Sequence, residues 1–123
     1  MSPVVALLAG AVFKDQRMLH RSGRPFNADE RSILRALTED DLQEADRVRK
    51  RLVELNEAAA TAWGELSDIM GAYFDAYPQC KTTADVRPYM SDQHREQVDN
   101  TLRHVGGLDE QIEEITNAIA SAA

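Results

Sequence analysis

Residues 39–76 read EDDLQEADRVRKRLVELNEAAATAWGELSDIMGAYFDA and contain the longest regular pattern in the chain. Apolar side chains recur in this segment at alternating intervals of three and four residues: Ala45, Val48, Leu52, Leu55, Ala59, Ala62, Leu66, Ile69, Tyr73 and Ala76. This spacing places them at the a and d positions of successive heptads, on one side of an α-helix, whereas the two-residue period of a strand does not produce it. At 1.5 Å per residue the segment predicts one helix about 57 Å long. We expect this helix to end before Pro78, since proline cannot continue it.

A second apolar stripe lies in residues 92–122, where Ser91 is a suitable N-cap. Its members follow one another on one face: Val98, Leu102, Val105, Leu108, Ile112, Ile115 and Ile119. The interval from Val105 to Leu108 is three residues where four is due, next to Gly106 and Gly107, so the sequence predicts a kink or a short break there. The loop over 78–90 is long enough for the two helices to fold back against each other and bury both stripes.

Shorter elements are predicted before residue 39. Ser2 and Pro3 are typical of a helix start, so residues 1–26 are interpreted as a short helix or an apolar arm. Asn27 and Glu30 have the spacing of a capping box, which predicts a short helix over 28–37 in the same domain as the hairpin, 27–123. The predicted fold class is therefore all-α: an elongated antiparallel helical hairpin that resembles a coiled coil, with one or two short N-terminal helices and three-helix packing at one end.

The position of the N-terminal arm stays open between two alternatives. Trp63, Met70 and Tyr77 fall beside the apolar stripe and widen it in the second half of the long helix. The arm therefore packs either on the chain's own core, with this wider half as the expected surface, or on another protein.

Composition excludes several classes of protein. The chain of 123 residues carries 14 Lys and Arg against 21 Asp and Glu, a formal charge of −7, which disfavours nucleic-acid binding. The single cysteine, Cys80, cannot form an internal disulfide. The apolar stretch over 4–13 is too short to span a bilayer and no basic residue precedes it, so neither a membrane span nor a signal peptide is expected. We expect a cytoplasmic protein or one held within an assembled particle.

No catalytic constellation is visible in the sequence. The spacings of His20, His94 and His104 match neither HExxH nor the Glu-x-x-His of di-iron bundles, which argues against a metal site. Cys80 lies beside Lys81, a cation that lowers a thiol pKa in principle, but no histidine base is near it in the sequence. The chain is accordingly expected to be no enzyme and to need no cofactor.

Charge is distributed unevenly along the chain. Residues 1–40 have a net charge of +1, with a basic cluster at Lys14, Arg17, Arg21 and Arg24, whereas residues 41–123 have a net charge of −8. A second basic cluster, Arg47, Arg49, Lys50 and Arg51, lies early in the long helix. In an antiparallel hairpin these side chains would lie opposite Glu110, Glu113 and Glu114, and such opposite charges fix the orientation of paired helices.

These features favour a non-enzymatic assembly or adaptor protein that acts through helix–helix contacts in a larger complex, for example a viral particle or a secretion apparatus. Its partner is expected to be a protein, either further copies of itself or other subunits. The expected partner-binding residues are Val4, Leu8, Val12, Phe13, Leu52, Leu55, Trp63, Leu66, Met70 and Tyr77. The alternative is an acidic helical inhibitor that occupies the basic nucleic-acid-binding groove of another protein. Its acidic face would consist of Glu96, Asp99, Asp109, Glu110, Glu113 and Glu114.

Overall fold

The structure, a computed structural model, describes residues 1–122 and is mostly helical. Its elements, in chain order, are α1 (Pro3–Gly10), β1 (Val12–Lys14), β2 (Arg17–Leu19), α2 (Ala28–Leu34), α3 (Glu39–Ala76), α4 (Thr83–Val86), a 3₁₀ helix (Arg87–Tyr89) and α5 (Asp92–Ala122). The chain forms two compact units. Unit 1 contains Met1–Glu54 and the end of α5 from Ile112, and unit 2 contains Leu55–Gln111.

The long helix α3 has the range that the apolar spacing predicts, Glu39–Ala76. Thr38 and Asp41 form a reciprocal cap at its start, since Asp41 N–H donates to Thr38 Oγ1 over 3.3 Å and Thr38 N–H donates to Asp41 Oδ2 over 2.9 Å. Pro78 follows its end. Of the ten apolar positions predicted for its buried stripe, only Ala76 is exposed.

The second long helix, α5, continues through Gly106 and Gly107. Of the predicted kink or short break, the break is therefore wrong. The apparent irregularity arises because Thr101, and not Leu102, belongs to the buried stripe. Thr101 is 8% exposed, whereas Leu102 is 41% exposed and lies outside the stripe. With Thr101 included, the buried positions around it follow the regular three-four spacing, and the helix has no irregularity to accommodate. The irregular spacing appears only when Leu102, the more hydrophobic of the two residues, is assigned to the stripe in place of Thr101.

The core of unit 1 brings both ends of the chain together. Val5, Leu8 and Ala9 of α1 are buried against Ala45 of α3 and Ile119 of α5. α1 thus packs on the first half of α3 and not on the wider second half, which corrects the surface expected from the sequence. The backbone of α1 comes close to α5 at Gly10, where an added Cβ would lie 2.8 Å from Ile119 Cγ2.

The chain after α1 forms a two-stranded antiparallel sheet, which the prediction of a short helix or apolar arm over residues 1–26 did not include. Phe13 of β1 pairs with Met18 of β2. The two residues of the turn, Asp15 and Gln16, have φ angles of 51° and 63°. Positive φ at both central residues is characteristic of a type I′ hairpin turn. The sequence does not indicate this hairpin, because the usual Asn-Gly or Asp-Gly turn signal is absent.

The short helix α2 begins where the sequence predicts and ends earlier than residue 37. Its capping box is present: Glu30 N–H donates to Asn27 Oδ1 over 2.8 Å, and Asn27 N–H donates to Glu30 Oε1 over 2.9 Å. Leu34 is half-buried against the core of unit 1.

Unit 2 has a separate core, in which the segment after α3 folds back onto that helix. Val86 and Met90 pack with Leu66, Met70 and Val98. Part of the segment predicted as an irregular loop over 78–90 therefore forms α4 and the 3₁₀ helix. A capping box at the start of α4 fixes the segment locally, between Thr82 and Asp85.

Candidate interaction surfaces

Most of the side chains expected to bind a partner are used inside the chain instead. Leu8, Leu55, Leu66 and Met70 are each at most 8% exposed. Three more, Val4, Leu52 and Tyr77, are half-buried against the cores of their own units. The three that remain exposed are Val12 (39%), Phe13 (65%) and Trp63 (46%). Of the ten expected partner-binding residues, only these three can contact a partner without rearrangement of the core of their own unit.

The first exposed apolar surface lies on the β-hairpin of unit 1. Val12 and Phe13 are on β1, and Leu42 on α3 is 49% exposed. Phe13 and Leu42 border a hollow of about 230 Å³, whose other lining residues are Leu8, Met18, Ala45, Asp46 and Arg49. The basic side chains of Lys14, Arg17 and Arg21 are exposed on the same hairpin segment. The strand register places Val12, Lys14 and Arg17 on the opposite face of the hairpin from Phe13. We call Phe13, Met18 and Leu42, which border the hollow, the hairpin patch.

Arg49 contacts both the end of α1 and the Phe13 ring. Its Nη2 donates to the carbonyl oxygens of Leu8 over 2.6 Å and Ala11 over 3.2 Å, at the C-terminal end of α1. A cation there also offsets the negative end of the helix dipole. The Arg49 guanidinium carbon lies 5.3 Å from the centre of the Phe13 ring, within the range of a cation–π contact. Phe13 is therefore exposed and in contact with a cation that is itself bonded to the end of α1.

Further exposed apolar side chains lie in unit 2, on α3 and α5. Tyr73 Oη lies 2.5 Å from His94 Nδ1, and Val98 packs in one cluster with Leu66. Later residues of α3 therefore meet earlier residues of α5.

Trp63 and Leu102 take the same heptad position on their respective helices. Each follows a buried d position, Ala62 or Thr101, and therefore takes the e position of its heptad. In an antiparallel pair the e positions of both helices lie on one side. Trp63 is 46% exposed and Leu102 is 41% exposed.

Small uncharged residues lie one turn from each of these two side chains. Ala60 and Ser67 lie one turn from Trp63 and are exposed. Gly106 lies one turn from Leu102, with open space where a Cβ would be. We call Ala60, Trp63, Ser67, Leu102 and Gly106 the Trp63 patch. The side chains beside Trp63 are small and leave room for the backbone of another protein to come close.

The chain itself covers the continuation of this flank. Along α3 the three-four spacing runs on from Ala60, Trp63 and Ser67 to Met70, Phe74 and Tyr77. Those last three residues pack with the segment that follows α3, and Tyr77 stacks on Tyr89 with ring centres 4.3 Å apart. The Trp63 patch is the part of the flank that this segment leaves open.

The predicted acidic face is divided between the two units. Glu96, Asp109 and Glu110 are exposed in unit 2, where ten acidic residues stand against four basic ones, a net charge of −6. Asp99 accepts two hydrogen bonds from the Arg87 guanidinium, at 2.9 and 2.8 Å, and this pairing lowers the Asp99 pKa. Its charge is therefore already partnered.

The remaining two acidic residues, Glu113 and Glu114, are exposed in unit 1. Glu114 lines a groove of about 470 Å³ together with Arg47, Arg51 and Ile115. Basic side chains of the long helix and an acid of the last helix thus share one groove, as the antiparallel arrangement predicts for this part of the chain.

A buried polar cluster in unit 1 was not anticipated from the sequence. Glu30 is 7% exposed, and the Arg24 guanidinium donates to its two oxygens over 2.7 and 3.0 Å. These hydrogen bonds, with that from the Asn27 backbone, lower the Glu30 pKa to about 2. His20 Nε2 lies 3.5 Å from Glu30 Oε2, and His20 Nδ1 lies 2.8 Å from Ser22 Oγ.

The order of a nucleophile triad is present in Ser22, His20 and Glu30. The backbone amides near Ser22, however, are not arranged as in a hydrolase. Ser22 N–H donates to His20 Nδ1 over 3.1 Å, and Gly23 N–H donates to the His20 carbonyl over 2.7 Å. Neither amide is free to stabilise an oxyanion. The cluster is best explained as the support of the segment between β2 and α2.

Within residues 1–122, no group of three or more His, Cys, Asp and Glu side chains is arranged to hold a metal ion. None of the described helices combines the length and the apolarity needed to cross a bilayer. Comparison with models of protein families, with curated proteins and with solved structures finds no match. A functional interpretation therefore rests on the two exposed patches.

Proposed function

We propose that this chain is a non-enzymatic assembly or adaptor protein, which takes its place in a larger complex, such as a viral particle or a secretion apparatus, by contacts to protein. The observation that carries the proposal is Phe13, which is 65% exposed and has the Arg49 guanidinium 5.3 Å from its ring centre. In this proposal, coiled-coil-like pairing of α3 with α5 within each unit provides the rigid support.

Energetics favour Phe13 as the anchor of such a contact. Full burial of a phenylalanine side chain contributes about 1.5–3 kcal/mol, and a side chain that is already ordered loses little entropy on binding. The neighbouring hollow, with Leu8 and Met18 in its lining, offers a complementary place for an apolar side chain of the partner. Aromatic residues next to such hollows are typical centres of protein interfaces.

Site-specific photo-crosslinking tests the proposal. The photoreactive residue p-benzoylphenylalanine would replace Phe13 in the protein expressed in its natural cells, and the control would carry it at Arg35, which is exposed on the connection between α2 and α3. We expect adducts with one defined protein from position 13 and none from position 35. Equal labelling at both positions, or none at either, would refute an assembly role for this surface.

The alternative, an acidic helical inhibitor of a nucleic-acid-binding protein, is favoured by one specific observation: the net charge of −6 on unit 2, with Glu96, Asp109 and Glu110 exposed. Such binding would depend on charge and would be lost at about 0.5 M salt, since exposed charges are screened there. Binding through Phe13 would persist at that salt concentration. The protein identified by crosslinking is then used to capture this chain at low and at high salt. Capture that is lost at high salt favours the inhibitor, and capture that persists favours the assembly protein.

A further inference from the structure

We propose that Tyr77 and Tyr89 are a site of oxidative crosslinking, at which a one-electron oxidant joins the two rings by a carbon–carbon bond. Their ring centres lie 4.3 Å apart and the planes of the rings differ by 22°, so the rings are stacked face to face. The oxidant that this chemistry requires is of the haem peroxidase class, with hydrogen peroxide as the electron acceptor. The site lies in unit 2 and goes beyond the proposed assembly function, since it includes no residue of the hairpin patch.

The reaction removes two hydrogen atoms from the pair of side chains. Each phenol loses one electron and its hydroxyl proton, which leaves a phenoxyl radical with unpaired spin on the ring carbons next to the oxygen-bearing carbon. Two such carbons, one on each ring, form the new bond, and the hydrogen that each carried moves to the phenol oxygen of the same ring. Hydrogen peroxide takes up the two electrons and two protons and becomes two molecules of water.

Tyr77 is positioned by the end of α3. Its N–H donates to the Tyr73 carbonyl over 2.9 Å, which continues the hydrogen bonding of the helix by one residue. Pro78 follows and prevents further helix, and Cys80 N–H donates back to the Tyr77 carbonyl over 3.0 Å. The Tyr77 side chain is half-buried against the core of unit 2. One ring of the pair is therefore supported by both a helix and a core.

Tyr89 is positioned from α5, through the residues on either side of it. Arg95 Nη2 donates to the Met90 carbonyl over 2.7 Å, and Arg95 Nε donates to the Arg87 carbonyl over 3.2 Å. The Arg87 guanidinium donates in turn to both carboxylate oxygens of Asp99. The 3₁₀ helix that carries Tyr89 is thus bonded to α5 at both of its ends.

Contact between the rings favours coupling within one chain over coupling between two chains. Groups that are held side by side react at effective concentrations far above the micromolar concentration of a purified protein. Tyr89 is 49% exposed, so a one-electron oxidant can reach the pair from solvent. The third tyrosine, Tyr73, is placed differently: its Oη accepts the Ser91 N–H over 3.1 Å, and its ring meets the His94 ring edge-on. Tyr73 therefore provides an internal control.

The crosslink would hold the segment that covers the core of unit 2. Residues 78–88 lie between the two tyrosines, and Val86 in this stretch is buried in one cluster with Leu66 and Met70. A covalent bond between the ends of such a stretch removes conformations from the unfolded chain and thereby favours the folded state. The coupled rings would act as a staple between α3 and the 3₁₀ helix.

Oxidation of the purified protein tests the proposal. The chain is treated at micromolar concentration with a haem peroxidase and hydrogen peroxide, digested, and analysed by mass spectrometry. Tyr77→Phe and Tyr89→Phe each keep an aromatic ring in the stack but remove one phenol, and Tyr73→Phe is the matched control. Circular dichroism before oxidation confirms that each variant is folded.

We expect the wild type to lose the mass of two hydrogen atoms, to remain a single chain, and to yield peptides joined through Tyr77 and Tyr89. The control Tyr73→Phe should give the same product, whereas Tyr77→Phe and Tyr89→Phe should lower its yield by about tenfold or more. Products that join two chains, coupling through Tyr73, or oxidation of Cys80 in place of coupling would each overturn the proposal.

A second pair of variants tests whether the bonds to α5 position Tyr89. Asp99→Asn weakens the contact with Arg87, and Asp109→Asn makes the same change at an exposed position further along the same helix. We expect the rate of coupling to fall several-fold in Asp99→Asn and to stay unchanged in Asp109→Asn. Equal rates in the two variants would overturn this account of the positioning.

Urea denaturation tests the staple itself. The crosslinked chain should unfold at a higher urea concentration than the untreated chain, and Tyr77→Phe treated with the same oxidant should show no such shift. Unfolding of the crosslinked and untreated chains at the same urea concentration would show that the bond does not restrain the segment, and the staple would be wrong.

Discussion

Replacement of Gly106 and Gly107 by alanine is expected to stabilise the protein. Both glycines lie inside α5, neither has a positive φ, and an added Cβ at either position meets no atom within 4 Å. Alanine therefore fits without strain. It also restricts the unfolded chain more than glycine does, which favours the folded state.

The size of the effect follows from helix propensity. Alanine in a helix interior is about 0.8–1.0 kcal/mol more favourable than glycine, so the double variant should gain about 2 kcal/mol in the free energy of unfolding. With an unfolding entropy of about 2.1 cal/mol/K per residue, a chain of 123 residues should show a rise in Tm of about 8 °C.

Urea denaturation followed by circular dichroism measures the free energy, and a thermal scan measures Tm, both at a protein concentration of a few micromolar where self-association is negligible. Gly23→Ala is the matched control: Gly23 has a φ of 87°, so the same substitution there should destabilise. A loss of stability in the Gly106 and Gly107 variant would refute a continuous α5 and restore the break that the sequence suggests.

Three further predictions concern the cores and the buried polar cluster. Gly10→Ala should lower the free energy of unfolding by about 1–3 kcal/mol in urea titrations, because the new Cβ would lie 2.8 Å from Ile119 Cγ2; unchanged stability would contradict this close packing. Leu55→Ala should cost about 2–5 kcal/mol and Leu102→Ala less than about 1 kcal/mol in the same assay, since the first side chain is 2% exposed and the second 41%; equal costs would place Leu102 back in the stripe. The Glu30 pKa is lowered to about 2 in the folded state, so the stability that its charge contributes is complete above the ordinary value of 4.5 and is lost as the pH falls from 4.5 to 2. The stability difference between wild type and Glu30→Gln should therefore shrink over that interval, and a difference that does not change with pH would contradict the assignment.

Local signals account for the parts of the fold that the sequence predicts. The range of α3 depends on the cap at Thr38, the unbroken apolar spacing and Pro78, all of which lie within or next to the helix. The capping box of α2 is likewise contained in four residues, Asn27 to Glu30. Such features need no knowledge of distant parts of the chain.

The errors arise where distant contacts decide the outcome. Thr101 is buried because of its place in the helix pair, which its modest hydrophobicity does not reveal. The hairpin after α1 forms around a turn of Asp15 and Gln16, of which Gln16 is an uncommon residue at positive φ. Phe13 was named as a partner-binding residue from hydrophobicity alone. The Arg49 guanidinium that contacts its ring comes from a helix more than thirty residues away.

The core of unit 1 has a consequence for how the protein is made. Val5 and Ile119 share that core although they are 114 positions apart, so during translation the apolar face of α1 emerges from the ribosome long before the end of α5 exists to cover it. Unit 2, by contrast, is one uninterrupted stretch of chain and can fold as soon as it has been synthesised. Nascent chains should therefore acquire the structure of unit 2 first, with α1 still in need of protection from premature association.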